Sequence, residues 1–181
     1  MPTLETDRLI LRPWEPEDAD FAFDLYSRWE VQRFIGNPPR VMTARAEAEE
    51  RIRAWRQMDH PVHATWAVQL KESGQLAGNL LLKSIPASGP SLPLQPSGDT
   101  EIGWHFHPDH WGHGFATEAA AAVLNFAFAS GLRRVVAVTA PANEASQKVC
   151  TRIGMRHLGQ TPRYYNSLCE LFEATTLLIA A

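Results

Sequence analysis

One junction constrains the fold of this chain more than any other segment. Residues 100–107 form an aromatic stretch, residues 111–116 read Trp-Gly-His-Gly-Phe-Ala, and an alanine-rich run follows to residue 130. This pattern predicts a strand, a glycine-rich turn and a helix. The glycines let the backbone approach a ligand, and the first N–H groups of the helix have no partner within it. Because such a terminus favours negative charge, the junction indicates a diphosphate site.

Taken alone, the glycine pattern is a weak sign of nucleotide binding. The third glycine of the dinucleotide fingerprint is missing, and the Gly-x-x-x-x-Gly-Lys-Ser/Thr sequence of P-loop proteins does not occur. A tight turn with close helix packing is the structural alternative for any short glycine-rich junction.

Composition excludes several classes of protein. The 181 residues predict one domain over 1–181, and the net charge of −3 lacks the basic footprint of nucleic-acid binding. The charged first eight residues are not a signal peptide, and the most apolar stretch, 119–129, is too short to cross a bilayer. Cys150 and Cys169 are interpreted as reduced thiols. We therefore expect a cytoplasmic protein with no nucleic-acid or membrane partner.

The order of predicted elements indicates a mixed α/β sheet with helices on both faces. Strands are predicted at residues 9–11, 65–70, 76–85, 100–107, 134–139, 155–160 and 170–179. Helices are predicted at residues 15–27, 44–58, 116–130 and 143–152. Residues 86–98 contain four prolines and two glycines and predict a loop. That loop could gate a site or mediate formation of a homodimer.

Four segments carry a resemblance to a known family: residues 3–12 (Thr-Leu-Glu-Thr-Asp-Arg-Leu-Ile-Leu-Arg), 76–79 (Leu-Ala-Gly-Asn), 101–104 with 111–119, and 143–146 with 152–155. In order and spacing they resemble the GNAT superfamily of acyl-CoA-dependent N-acyltransferases. Within it they are similar to the Rim-type branch, named for ribosomal-protein N-terminal acetyltransferases. The resemblance implies one GNAT-like domain with a mostly antiparallel, splayed sheet. It also implies transfer of an acetyl group from acetyl-CoA to a primary amine, by direct attack in a ternary complex.

The resemblance also implies which residues hold acetyl-CoA. Backbone amides of the glycine-rich turn would bind the pyrophosphate: Gly112, His113, Gly114, Phe115, Ala116 and Thr117. Backbone groups of Trp104, His105 and Phe106 would pair with the pantetheine like an added strand, which needs a locally splayed strand. Asn143 stands at a predicted N-cap, where it could cap the helix or reach the pantetheine, and Ser146 follows one turn later.

A base is needed to remove a proton from the amine, and Glu101 is the first candidate. The branch commonly has an acid at this Glu-Ile-Gly position. The alternative is a solvated or arginine-paired carboxylate. His105 is the second candidate, because the ordinary pKa of histidine lies near neutrality, although a strand histidine is more often a packing residue. A backbone N–H of the splayed strand could serve as the oxyanion donor.

The general acid is where the chain departs from the commonest GNAT pattern. Many members carry Tyr seven residues after the motif's Asn, and here Cys150 stands at that position. The acid is left open among Cys150, Ser146, one of Tyr164 and Tyr165, and water. A small buried hydrophobic residue is the more common role for such a cysteine.

Two other classes of function remain open. The histidines form a His-x-His-x-x-His-x-x-His cluster over residues 105–113, which raises a metal hypothesis. Pro108 interrupts the strand and no Cys lies nearby, so no metal is expected. A GNAT-like fold without catalysis could instead sense CoA or a partner through Trp14, Trp29 and Phe34.

The acceptor is a small-molecule or peptide amine that the sequence does not identify. Its specificity is expected to depend on the helical region 18–39 and on the loop 164–168, which should flank the acceptor side of the cleft.

Overall fold

Eight strands form one sheet in a computed structural model that describes residues 2–176 of the chain. The strands are β1 (Leu4–Glu5), β2 (Leu9–Pro13), β3 (Ala64–Leu70), β4 (Leu76–Pro86), β5 (Pro96–Phe106), β6 (Arg134–Thr139), β7 (Arg156–Tyr164) and β8 (Ser167–Thr175). Their order in the sheet is β1-β2-β3-β4-β5-β6-β8-β7. All neighbours are antiparallel except β5 and β6. The predicted mixed, mostly antiparallel sheet is confirmed.

Within the described residues, five helices connect these strands: α1 (Ala19–Ser27), α2 (Trp29–Gln32), α3 (Arg45–Arg56), α4 (Phe115–Ala129) and α5 (Glu144–Arg152). Short 3-10 turns at Pro16–Asp18 and Pro108–His110 precede α1 and the glycine-rich turn. No helix within residues 2–176 is long and apolar enough to cross a membrane.

The helices cover both faces of the sheet, as predicted. On β3, Trp66 and Val68 belong to the core that also contains the buried residues of α4 and α5. Ala67, between them, belongs to the core of α1 and α3. Because successive side chains of a strand point to opposite faces, the alternation of β3 supplies both cores.

Several predicted boundaries are wrong by a few residues. The loop predicted at 86–98 is shorter, because Pro86 ends β4 and Pro96, its paired partner, begins β5. Proline is tolerated at a strand end, where no ladder donor is required. The two-residue β1 was not predicted. The last predicted strand, 170–179, begins earlier at Ser167, and its residues 177–179 lie outside the described part of the chain.

The sheet opens between its two parallel strands. Within residues 2–176, β5 and β6 are paired only at Glu101 opposite Val136. Beyond that point the two strands diverge, so the carboxyl-terminal half of β5 has a free edge toward β6. This divergence is the predicted splay of the sheet.

Candidate active site

A cleft of about 930 Å³ occupies the opening between β5 and β6. It is lined by residues of both strands, the first turns of α4 and α5, α2 with the residues that follow it, and the β7–β8 hairpin. The predicted specificity regions 18–39 and 164–168 both contribute lining residues, among them Phe34 and Tyr165. Trp29 is exposed and is not among the lining residues.

The glycine-rich turn places a helix N-terminus at one end of the cleft. Gly112 and Gly114 both have φ of +80°, a left-handed conformation that favours glycine. The first α-helical hydrogen bond of α4 runs from the Glu118 N–H to the Gly114 carbonyl at 3.0 Å. The N–H groups of Phe115, Ala116 and Thr117 therefore have no carbonyl partner within the helix. Such a terminus can bind an anion.

Arg8, the residue immediately before β2, holds the glycine-rich turn in place. Its guanidinium donates to Glu118 Oε2 at 2.7 Å and to the His113 carbonyl at 3.0 Å. It also lies 4.7 Å from the centre of the Phe115 ring. The first strand and the turn, far apart in sequence, thus form one unit beside the helix N-terminus.

The free edge of β5 presents alternate backbone groups to the cleft. The His107 N–H donates to the Ala77 carbonyl on β4 at 2.9 Å. Since successive residues of a strand direct their backbone groups to opposite edges, those of His105 face β4 and those of Trp104 and Phe106 face the cleft. Trp111 Nε1 already donates to the Phe106 carbonyl at 2.8 Å. A ligand can pair with both groups of Trp104 and with the Phe106 N–H.

Asn143 and Ser146 line the opposite wall of the cleft, at the start of α5. Asn143 is the N-cap, and its Oδ1 accepts from the Ser146 N–H at 3.2 Å. The capping role uses only the oxygen of the amide. The Asn143 Nδ2 group keeps its two donors for a ligand.

Glu101 is a buried carboxylate at the point where β5 and β6 part. Its Oε2 accepts a hydrogen bond from the Tyr165 hydroxyl and lies 4.0 Å from Lys83 Nζ. Burial raises the pKa of Glu101 above its ordinary value, and both neighbours oppose that rise. A carboxyl with a raised pKa is better matched to proton transfer near neutral pH.

His105 lies on the same face of β5 as Glu101, two alternations further along. Its Nδ1 is 2.9 Å from the Tyr26 hydroxyl, and the ring stacks edge-on against Tyr26. Burial lowers the pKa of His105 to about 3, with smaller contributions from Arg51 and Lys83. The imidazole is therefore neutral at physiological pH, and it is a weak base.

Cys150 lies outside the cleft. It is fully buried in the core formed with α4 and is not a lining residue. Burial raises the pKa of its thiol to about 12. Its placement matches the packing alternative weighed for this position.

Three of the four histidines of residues 105–113 contact different side chains, and the fourth, His110, packs against the rings of His107 and Phe115. His105 contacts Tyr26, whereas His107 Nε2 lies 3.0 Å from Asp24 Oδ2. The ring of His113 stacks on Phe115. Within residues 2–176 no three His, Cys, Asp or Glu side chains are arranged as a ligand set for a metal ion.

Sequence reasoning missed Lys83 and Tyr26, and it named Tyr165 only as one possible acid. Lys83 is the cross-strand partner of Glu101. A correctly predicted register between β4 and β5 would have placed Lys83 opposite Glu101. The hydrogen bonds that Tyr26 and Tyr165 make span 79 and 64 residues along the chain, and no local pattern signals them.

Known proteins resemble this chain in sequence and in fold. Residues 8–156 match the family model described as Acetyltransferase (GNAT) domain. The chain is 30% identical to the uncharacterized N-acetyltransferase YoaA of Bacillus subtilis over 165 residues, which cover 90% of this chain and 88% of that protein.

Two solved structures have the same fold. An acetyltransferase from Agrobacterium tumefaciens is 25% identical, with a TM-score of 0.74 and coverage of 97% of this chain and 95% of that one. RimL, a ribosomal L7/L12 alpha-N-protein acetyltransferase solved with coenzyme A, has a TM-score of 0.77 at 16% identity, with coverage of 96% and 98%. This chain therefore belongs to the GNAT family and is an acetyl-CoA-dependent acyltransferase.

Proposed function

We propose that this protein transfers the acetyl group of acetyl-CoA to a primary amine by direct attack in a ternary complex, as a member of the Rim-type branch. One observation carries the proposal. A single cleft joins an anion-binding helix N-terminus to a buried carboxylate with a raised pKa. The acceptor is the N-terminal amine of a protein or a small amine.

The donor half of the cleft fits acetyl-CoA. The backbone amides of residues 112–117 bind the pyrophosphate, because the start of α4 offers unpaired N–H groups and positive φ glycines. The Trp104 backbone and the Phe106 N–H pair with the pantetheine as an added strand would. Asn143 Nδ2 and Ser146 contact the pantetheine from the other wall. His105 takes no part through its backbone, which faces β4.

Glu101 is the base in this proposal. It accepts a proton from the acceptor ammonium, directly or through a water molecule. The amine nitrogen then attacks the thioester carbonyl carbon, the C–N bond forms, and the C–S bond breaks. The Trp104 or Phe106 N–H at the free edge of β5 stabilises the oxyanion. We prefer Glu101 to His105 because a ring whose pKa is about 3 removes protons poorly.

The departing thiolate takes its proton from the Ser146 hydroxyl or from solvent, and the second proton that the nitrogen loses as the amide forms replaces it. Ser146 lines the cleft, whereas Cys150 is enclosed in the core and the Tyr165 hydroxyl is directed to Glu101.

The test is release of the CoA thiol with a panel of amines that includes N-terminal peptides, amino acids, polyamines and aminoglycosides. We expect turnover with at least one of them, and a 10²–10⁴-fold lower kcat/KM for Glu101→Gln, roughly the value of a general base. Binding of acetyl-CoA should be unchanged in that variant. Glu170→Gln is the matched control, because Glu170 is a carboxylate on β8 that does not line the cleft.

Three results would contradict parts of the proposal. Full activity in Glu101→Gln would remove the base. Binding of acetyl-CoA without turnover of any amine would favour the alternative of a CoA-binding module. Preference for peptides over small amines would support the Rim-type assignment, and the opposite preference would overturn it.

A further inference from the structure

The turn between β7 and β8 has a conformation that ordinary residues rarely adopt. Tyr165 and Asn166 have φ of 57° and 51°, in the left-handed region. For a tyrosine this conformation is uncommon, and it persists only where surrounding contacts impose it. The contacts that impose this conformation therefore indicate the role of the turn.

Asn166 ties the turn to two other segments. Its Oδ1 accepts from the Gly89 N–H at 2.8 Å, and its Nδ2 donates to the Gly89 carbonyl at 3.0 Å. Its own N–H donates to Ser88 Oγ at 3.0 Å. From the other side, Asn37 Nδ2 donates to the Asn166 carbonyl at 3.1 Å. One side chain and its backbone thus join the β7–β8 turn, the proline-rich segment and the residues after α2.

The proline-rich segment is itself attached to β7. The Ser88 N–H donates to the Arg163 carbonyl at 2.7 Å, and Ser88 Oγ donates to the Pro162 carbonyl at 2.6 Å. Ala87 forms a β-bridge with Tyr164. These hydrogen bonds make the proline-rich segment a brace for the β7–β8 hairpin, and they oppose its movement as a gate over the cleft.

The braced turn directs Tyr165 at Glu101. The Tyr165 hydroxyl donates to Glu101 Oε2, and Lys83 Nζ lies 5.4 Å from the centre of the Tyr165 ring. We propose that Tyr165 is a positioning residue of the reaction: Asn166 and the proline-rich segment hold its hydroxyl on Glu101, and this hydrogen bond sets the protonation state of the base. The catalytic part of the inference rests on the proposed function.

Besides Tyr165, Lys83 on β4 acts on Glu101, and burial together with Glu101 raises the pKa of Cys169 on β8. The other charged and titratable groups on the walls of the cleft or beside them are Asp99 and His105 on β5, Arg134 on β6, and Glu30 and Arg33 of the α2 region. Asp99 forms an ion pair with Arg134 and accepts a hydrogen bond from Tyr164. Burial raises the pKa of Glu101, and the Tyr165 hydroxyl, by donating to the charged form, holds it down. Removal of that hydroxyl must raise the pKa further.

The experiment measures this titration without any substrate. The protein is labelled with glutamate carrying ¹³C at the carboxyl carbon, and the Glu101 signal is assigned by its loss in Glu101→Gln. We expect the midpoint to rise by about one pH unit in Tyr165→Phe. Tyr164→Phe is the matched control, because the neighbouring hydroxyl donates to Asp99 at 2.6 Å and not to Glu101. An unchanged midpoint in Tyr165→Phe, or an equal rise in Tyr164→Phe, would overturn the inference.

A second variant tests the brace. Asn166→Ala keeps the Tyr165 hydroxyl but removes both side-chain bonds to Gly89, so the Glu101 midpoint should rise by part of the Tyr165→Phe shift. No rise in a folded Asn166→Ala protein would show that the brace is unnecessary. With an accepted amine, the acid limb of kcat/KM of each variant should move to higher pH by as much as the Glu101 midpoint of that variant. If no amine is accepted but the midpoints move, the proposed function fails and the positioning of Glu101 stands.

Discussion

The two halves of the cleft are built in different ways. The donor half consists of three short continuous segments: 112–117 and 143–146, each at the start of a helix, and 104–106 at the free edge of β5. The acceptor half brings together residues that are far apart in the chain, such as Tyr26 with His105 and Tyr165 with Glu101. The donor half therefore depends on local conformation, and the acceptor half depends on how distant elements pack.

The two halves also use different chemistry. The donor half offers backbone N–H groups, whose polarity does not change with pH. The acceptor half offers side chains that are buried or half-buried, and burial moves the pKa of Glu101 upward and that of His105 downward. Local changes should therefore abolish cofactor binding directly, whereas changes in the acceptor half should appear first in pH dependence.

The largest expected effect is in the donor half. Gly114→Glu places a carboxylate at the helix N-terminus where we propose that the pyrophosphate binds, and it strains a residue with φ of +80°. We expect the Kd for CoA, measured by calorimetry, to increase at least about 100-fold, or roughly 3 kcal/mol.

A matched control separates the site from the strain. Gly131 has φ of +92° with open space around it, and it does not line the cleft. Gly131→Glu should therefore carry a similar conformational cost without loss of affinity. Equal losses in both variants would mean that Gly114 acts only through folding.

A smaller effect is expected in the acceptor half, where the free energy of unfolding should depend on pH. The pKa of His105 is about 3 in the folded protein and about 6.5 in an unfolded chain, so the unfolded state binds more protons between these values. Stability contributed by the neutral ring is complete above about pH 6.5 and is lost as the pH falls toward 3. Because the His105 ring is partly exposed, the free energy of unfolding should change with pH by less than the limiting ~1.4 kcal/mol per pH unit.

Denaturant unfolding of wild type and His105→Gln at several pH values checks this slope. The difference between the two proteins should grow smaller as the pH falls, since the variant has no ring to protonate. A constant difference across that range would show that His105 titrates normally in the folded protein.

The smallest expected effect concerns Cys150, which the motif places beside the donor half and the fold places in the core. Cys150→Ala should keep kcat within about twofold and lower the free energy of unfolding by about 1 kcal/mol. Thiol release with an accepted amine and denaturant unfolding measure the two quantities. A tenfold or greater loss of kcat in a stably folded variant would restore the thiol as proton donor.

The sequence predicted the local features of the structure better than those that depend on contacts between distant residues. The strand, glycine turn and helix around Gly114 were predicted, because positive φ glycines and an alanine-rich helix are local properties. β6 was predicted with its observed bounds, since a short β-branched run between helices has few alternatives. The ends of the proline-rich loop were wrong, because strand pairing at Pro86 and Pro96 overrode local composition.

The sequence by itself determined the order of the main elements and the local conformation of the segments that we propose bind acetyl-CoA. A glycine turn, an N-cap and an alternating strand each depend on residues within a few positions of one another. Only the tertiary structure decided that Glu101 is held by Tyr165, that His105 is a neutral partner of Tyr26, and that Cys150 faces the core. Those outcomes depend on burial and on contacts across the chain, and a pKa or a side-chain partner follows from surroundings that assemble only when the sheet and its helices pack.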